Sequence, residues 1–236
     1  MSKKVILPIL IVSLFLFGCQ NKYSDNNTSK SDTLEFNYDF QNGTNGWMGG
    51  LAGIDGNTLT DGFDINYAHA DYSQNDSFNN GIYLTCSTKN DNMFMYTTKK
   101  LSSRDGLSPL TNYEVDLNFE ISSNENANNS IPMDRLFIKA AVANIQPSIE
   151  VIEKGYNNNF FINPNTEDAS RKISLTTLGN ADIPNKDANG IKTFQQSFNA
   201  TTDSNGDMWV IIGVDSDYKG NGSLFLDNIK ISIHEI

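Results

Sequence analysis

Two stretches near the carboxyl end place side-chain oxygens at alternating positions, the spacing by which a calcium loop collects its ligands. Asp203-Ser-Asn-Gly-Asp207 has that spacing, but Met208 stands where the loop needs a glycine, and an apolar run begins at once. Asp215-Ser-Asp-Tyr-Lys-Gly-Asn-Gly222 starts in the same way, yet Lys219 falls on a ligand position and no glutamate closes the loop. Both read as hairpin turns. A further acid, Asp227, interrupts the alternation of Leu224-Phe-Leu-Asp-Asn-Ile-Lys-Ile-Ser-Ile233. It shares the parity of Phe225 and Ile229. That parity demands either a bulge that turns it outward or a carboxylate near the core, supplied with a cation or several donors.

A second chemistry is available to the aromatic residues. Saccharide recognition needs an exposed ring face for C–H stacking, flanked by Asn, Asp or Gln for the hydroxyls. Tyr67 and Tyr72 lie in a segment rich in Asn and Asp, Tyr156 and Phe160 lie in an Asn-rich loop, and Tyr218 occupies the final turn. His69, also among aromatics, reads as a hydrogen-bonded structural residue rather than a metal ligand. Cys86, within Gly81-Ile-Tyr-Leu-Thr-Cys-Ser87, reads as a small buried hydrophobe, with neither histidine near it in sequence. There is no Gly-x-Ser-x-Gly, His-Glu-x-x-His, phosphate loop or zinc spacing. No enzyme is therefore expected, although two of the twenty-eight acidic residues, suitably placed, would suffice for glycoside hydrolysis.

The 236 residues carry a formal charge of −11 without a visible basic patch, so phosphate would be repelled and nucleic acid is excluded as a partner. Lys3 and Lys4 precede an apolar run from Val5 to Phe17, the pattern of a secretory signal and too short for a stable membrane span. Leu16-Phe17-Gly18-Cys19 resembles the lipobox of bacterial lipoproteins. The resemblance implies a signal peptide of residues 1–18, acylation of Cys19, palmitate included, and a lipid anchor in the cell envelope, on the outer membrane or the cell membrane. Cys86 is then left without a partner, so disulfides play no part. Residues 19–33 are polar and aperiodic and are expected to form a tether, with a reach on the order of 20 Å for its thirteen-residue polar run.

These candidate groups must be positioned by strands. Leu34, Phe36, Tyr38 and Phe40 alternate with polar residues, as do Phe63, Ile65 and Tyr67, and Tyr113-Glu-Val-Asp-Leu-Asn-Phe-Glu-Ile121 is the cleanest alternation in the chain. Glycines between Met48 and Gly62 predict a loop or an irregular edge. Met208-Trp-Val-Ile-Ile-Gly-Val214 has no polar face and predicts a central strand covered on both sides, with Trp209 in the core. From there to Ile233 the chain reads as the last hairpin. About eleven strand candidates at sandwich spacing, with no convincing amphipathic helix, make residues 34–236 one all-β domain, a β-sandwich.

Phe40-Gln41-x-Gly43 followed by Gly46-Trp47, together with Leu226-Asp227-Asn228-Ile229, resembles the two ends of jelly-roll carbohydrate-binding modules. The resemblance implies terminal strands side by side, Trp47 in the core, and a structural calcium held by Asp39, Gln41 and Asp227 with backbone carbonyls. Gln41 departs from the acid more usual there. A second likeness runs through Phe137-Ile-Lys-Ala-Ala141, Leu178-Gly-Asn180, Thr202-Asp-Ser-Asn-Gly206 before Trp209, and Gly213-Val-Asp-Ser216. It is similar to a family of exported bacterial proteins and lipoproteins of unassigned activity, from which Asn129-Ser-Ile-Pro-Met-Asp-Arg135 departs by replacing a glycine-rich loop. The expectation is a lipid-anchored, exported, non-catalytic binding module of jelly-roll type, with carbohydrate as ligand. The alternatives are an adhesive surface lipoprotein that contacts another protein, and a glycan hydrolase.

Overall fold

Strict alternation of apolar and polar residues yields strands here because a side-chain period of two buries one whole face only in a pleated sheet. The computed structural model describes residues 33–52, 63–71, 80–88, 93–122, 131–152, 155–158, 160–161, 173–182, 190–216 and 218–236. Cys19, Tyr72 and all but the last residue of the expected tether lie outside them. In chain order the strands are β1 (Leu34–Tyr38), β2 (Met48–Ala52), β3 (Phe63–Asp71), β4 (Asn80–Thr88), β5 (Met93–Leu101), β6 (Asn112–Ser122) and β7 (Leu136–Ala143). There follow β8 (Ile149–Ile152), β9 (Gly155–Asn158), β10 (Phe160–Phe161), β11 (Ile173–Ser174), β12 (Thr176–Asn180), β13 (Ile191–Thr201), β14 (Met208–Ser216) and β15 (Gly220–Glu235).

Six strands form the first sheet, in the order β13-β6-β15-β4-β3 with β1 also paired to β15, and five form the second, β12-β7-β14-β5-β2. Every ladder within these two sheets is antiparallel. Successive long strands change sheet: β4, β6, β13 and β15 belong to the first, β5, β7 and β14 to the second. This is a jelly-roll β-sandwich. Leu117, Phe119, Ile231 and Ile233 from one layer meet Met95, Ile138, Val210 and Ile212 from the other in a single core.

β14 is the middle strand of its sheet, and its outer face is covered too. Ile211 joins Ala52, Phe94, Tyr96, Ala141 and Ile173 in a second, smaller apolar cluster. The rings of Phe94 and Tyr96 stack at 5.6 Å. Each lies across a glycine of the neighbouring strand, Phe94 over Gly213 and Tyr96 over Gly50. Burial pushes the Tyr96 phenol up to about 12. The glycine-rich segment from Met48, expected as a loop or irregular edge, begins with the edge strand β2, where glycine lets aromatic rings rest directly on the backbone.

One expectation is corrected. Met208–Ile233 is not a hairpin, because β14 pairs with β5 and β7 while β15 pairs with β4, β6 and β1 in the other sheet. The connection after Ser216 crosses between sheets, as does the 202–207 turn between β13 and β14, which therefore is no hairpin turn either. Alternation reports which face of a strand is apolar and is silent about its partner.

β15 also changes parity along its length. Leu224 and Leu226 face the core, and after them Ile229, Ile231 and Ile233 do so. The switch is a bulge: Asp227 opposes Glu120, but Lys230 opposes Asn118. Asn228 occupies it at φ +48°, a left-handed conformation that asparagine tolerates better than most residues.

A Cβ at Gly213 would stand 2.4 Å from the Met95 carbonyl oxygen and 2.5 Å from the Phe94 ring. Gly213→Ala is expected to destabilise the protein by about 1–3 kcal/mol. The readout is a lower urea midpoint with an unchanged slope.

Candidate functional site

At one end of the sandwich two sheet-to-sheet connections are locked together. After Leu101 closes β5, Ser102 caps a 3-10 turn, Ser103–Asp105. The Asp105 carboxylate accepts the Ser102 N–H and hydroxyl, both at 2.9 Å. Gly106 ends the turn at φ +100°. In the facing turn, Asp203 Oδ1 accepts the N–H groups of Asn205 and Asp207, each at 2.8 Å. The Asp207 N–H first, then Asn205 and the Lys100 charge, hold the Asp203 carboxyl below the usual carboxylate range, against the opposing effect of burial. Ser103 Oγ donates to the Asn205 carbonyl at 2.7 Å, and Thr202 Oγ1 donates to the Ser108 carbonyl at 2.6 Å.

Between these turns is an open pocket of about 410 Å³ lined by Lys100, Ser102, Ser103, Arg104, Asn205 and Asp207. Lys100 Nζ is 2.6 Å from Asp207 Oδ2 and stands 5.3 Å above the centre of the Trp209 ring. Among the described residues Arg104 has no carboxylate partner. The pocket thus joins cationic, hydroxyl and amide groups beside an indole, on a frame held by its own hydrogen bonds. Sequence reasoning singled out the 203–207 turn but missed Lys100, Ser102 and Arg104. Ser102-x-x-Asp105 followed by Gly106 is a capping-box signature that marks the turn, but nothing local joins it to residues a hundred positions away.

Of the expected aromatic residues, Tyr67 and Tyr218, whose side chains are described, do not line this pocket. Tyr67 faces the second sheet: its hydroxyl donates to the Trp47 carbonyl at 3.0 Å and lies 3.3 Å from Thr97 Oγ1, and its ring rests on Gly49. Burial pushes its phenol up, with the Thr97 hydroxyl opposing. It ties the two sheets together. Tyr156 and Phe160 lie on β9 and β10, their side chains outside the described residues. Tyr218 is 46% exposed, its N–H donating to Ser216 Oγ at 3.1 Å. It follows the far end of β14, about 30 Å from Asp207 at the strand rise per residue. Trp47 is buried with its ring edge-on to Tyr38 at 5.6 Å. Trp209, also buried, lies on the outer face under Lys100 rather than in the main core. His69 Nε2 donates to the Phe40 carbonyl, as a structural histidine would.

β1 and β15 lie side by side, in register from Leu34 opposite Ile233 to Tyr38 opposite Ile229. Asp39, one residue past that ladder, is exposed and accepts the Gln41 N–H at 3.2 Å, while Gln41 Nε2 donates to the Asp39 carbonyl at 3.0 Å. Asp227 is only 3% exposed, beside the bulge, and accepts the Asn228 N–H at 2.7 Å. Asn228 Nδ2 in turn donates to Glu120 Oε2 at 2.7 Å. Of the two alternatives read from the sequence at Asp227 the bulge is the one present; the carboxylate lies on the outer face opposite Glu120 and is nonetheless buried. Among the described residues no three Asp, Glu, His or Cys side chains gather as a metal-holding group.

The outward side chains of β6 and β13 include no aromatic, and the acids there have donors: Ser197 to Asp116, and His234 to Glu114 at 2.8 Å. On the second sheet Lys139 pairs with Asp215, bringing together two segments of the lipoprotein-family likeness, Phe137–Ala141 and Gly213–Ser216.

The architecture places the chain among jelly-roll β-sandwiches. No family model and no curated protein sequence matches it. Among solved structures it is similar to the CBM22-1 xylan-binding domain from Paenibacillus barcinonensis Xyn10C, at 12% identity and TM-score 0.41, over 87% of this chain and 96% of that one. It is similar to TmCBM61 in complex with β-1,4-galactotriose, at 8% identity and TM-score 0.35, over 78% and 86%. It is also similar to the enzymatically active domain of bacteriophage CBA120 tailspike protein 4, at 11% identity and TM-score 0.37, over 81% of this chain and 20% of that one. The chain thus spans about a fifth of the tailspike chain's length. At such identities and scores these likenesses bear on neither site nor ligand.

Tyr67→Phe removes a hydroxyl that joins the sheets and is expected to cost about 1 kcal/mol. Chemical denaturation of the two proteins side by side checks it, and equal stabilities would show that the bond adds nothing.

Proposed function

We propose that the chain is a lipid-anchored, exported, non-catalytic binding module of a bacterial cell envelope, and that carbohydrate is its ligand. The observation that carries the reading is the pocket between the 102–106 and 203–207 turns. Its volume of about 410 Å³ falls in the range of small-ligand sites, and its Ser, Asn, Lys, Arg and Asp side chains are the groups that hydrogen-bond sugar hydroxyls. Tyr218, 46% exposed at the other end of β14, offers a ring on which a sugar could stack. A structural calcium on Asp39, Gln41 and Asp227 belongs to the same proposal. It is supported by the adjacency of β1 and β15 and by the cross-strand pairing of two carboxylates, Asp227 and Glu120, whose repulsion a cation would offset.

The full chain in detergent, applied to a broad glycan array, is expected to bind a related set of glycans saturably. Asn205→Ala should weaken that binding about tenfold, the effect of one or two lost hydrogen bonds. Loss on Tyr218→Ala instead would move the site to the opposite end, and an empty array would overturn carbohydrate in favour of a protein partner. Thermal unfolding with calcium and with a chelator should show a lower melting temperature in the chelator; identical melting curves would remove the calcium.

The anchor is tested separately by expression in a bacterial host. The parent chain should partition into the detergent phase and take up labelled palmitate, whereas Cys19→Ala should do neither. Equal labelling of both would overturn acylation at Cys19.

A further inference from the structure

We infer that this pocket selects glycans bearing an anionic group, a uronate carboxylate or a sulfate, over their neutral counterparts; the inference rests on the pocket's being the sugar site. Its basis is the distribution of charge between the two turns. Three carboxylates lie there, and each is bound within the protein. Asp105 accepts two bonds from Ser102. Asp203 accepts the N–H groups of Asn205 and Asp207. Asp207 pairs with Lys100 at 2.6 Å. Each therefore already has its donors within the protein.

The cations are in the opposite state. Arg104 is exposed on the pocket wall, and its backbone N–H donates to Ser102 Oγ at 3.3 Å. Its guanidinium carries five N–H donors in a planar fork and has no carboxylate partner among the described residues. Lys100, with 47% of its side chain exposed, has two N–H donors beyond the one directed to Asp207. Both residues line the cavity and keep N–H donors beyond those used within the protein, and the guanidinium fork is the geometry that a carboxylate or sulfate meets with two parallel bonds. A neutral sugar hydroxyl would accept from these charged donors as well, but one bond at a time and without the ion pairing and the two parallel bonds that a carboxylate or sulfate adds. On a chain of net charge −11, an anionic ligand is repelled at long range, so the preference must come from contact at Arg104 and Lys100.

The test is an array of matched pairs, galactan against polygalacturonan and dextran against dextran sulfate, probed with the full chain in detergent. Phosphatidylglycerol vesicles and sodium sulfate serve as competitors. The acidic member of a pair is expected to bind about tenfold or more tightly, and Arg104→Gln should abolish that preference with no change in melting temperature. Thr193→Ala, on the exposed outer face of β13, should leave it intact. Equal or tighter binding of the neutral members overturns the inference and leaves the sugar module standing. Binding to neither member of any pair overturns both. Competition by vesicles but not by free sugars would make the pocket a lipid-headgroup site, and competition by millimolar sulfate alone would make it a site for an adventitious ion only.

Discussion

The constraint on which the rest of the structure depends is the parity switch at Asn228. β15 is sixteen residues long and meets three partners: β4 along its first half, β1 along its second, and β6 over much of both. Without the extra residue, one set of isoleucines or the pair of leucines would face solvent, because a shift of one position turns every later side chain to the opposite face. The bulge keeps Leu224 and Leu226, and also Ile229, Ile231 and Ile233, in one core. It also puts Asp227 on the face away from the core, opposite Glu120.

The same sheet-to-sheet crossing that defines a jelly roll builds the pocket. β5 leaves the second sheet for β6, β13 leaves the first for β14, and both crossings occur at one end of the sandwich. Each connection brings polar backbone to the surface, and each satisfies much of it with its own side chains, Asp105 for Ser102 and Asp203 for Asn205 and Asp207, while Thr202 reaches across to the Ser108 carbonyl. A frame closed in this way leaves the long cationic side chains as the groups still able to engage something else. The remaining surfaces differ in kind. The outer face of β6 and β13 is polar with paired acids, and the outer face of the second sheet carries its own apolar cluster.

Tyr67 and Trp209 show why residue type alone did not locate the site. Tyr67 stands at a position of apolar parity on β3, and the sequence left open whether that edge was covered. The approach of Gly49 and the Trp47 carbonyl from the other sheet decided it. Trp209 belongs to a run apolar on both faces, which told that it would be buried but not that a lysine on the neighbouring strand, Lys100, would cover its ring.

By itself the sequence determined the all-β class, the inner and outer faces of β1, β6 and β14, and the disturbance at Asp227, because these follow from a local period of two and from its interruption. It also marked the Asp203–Asp207 turn. Only the tertiary structure decided that β14 and β15 lie in different sheets, that Asn228 is the bulge residue, and that Arg104 and Asn205 face one cavity. Such pairings join residues a hundred positions apart through strand order, and strand order is settled by how two whole layers close over a common core.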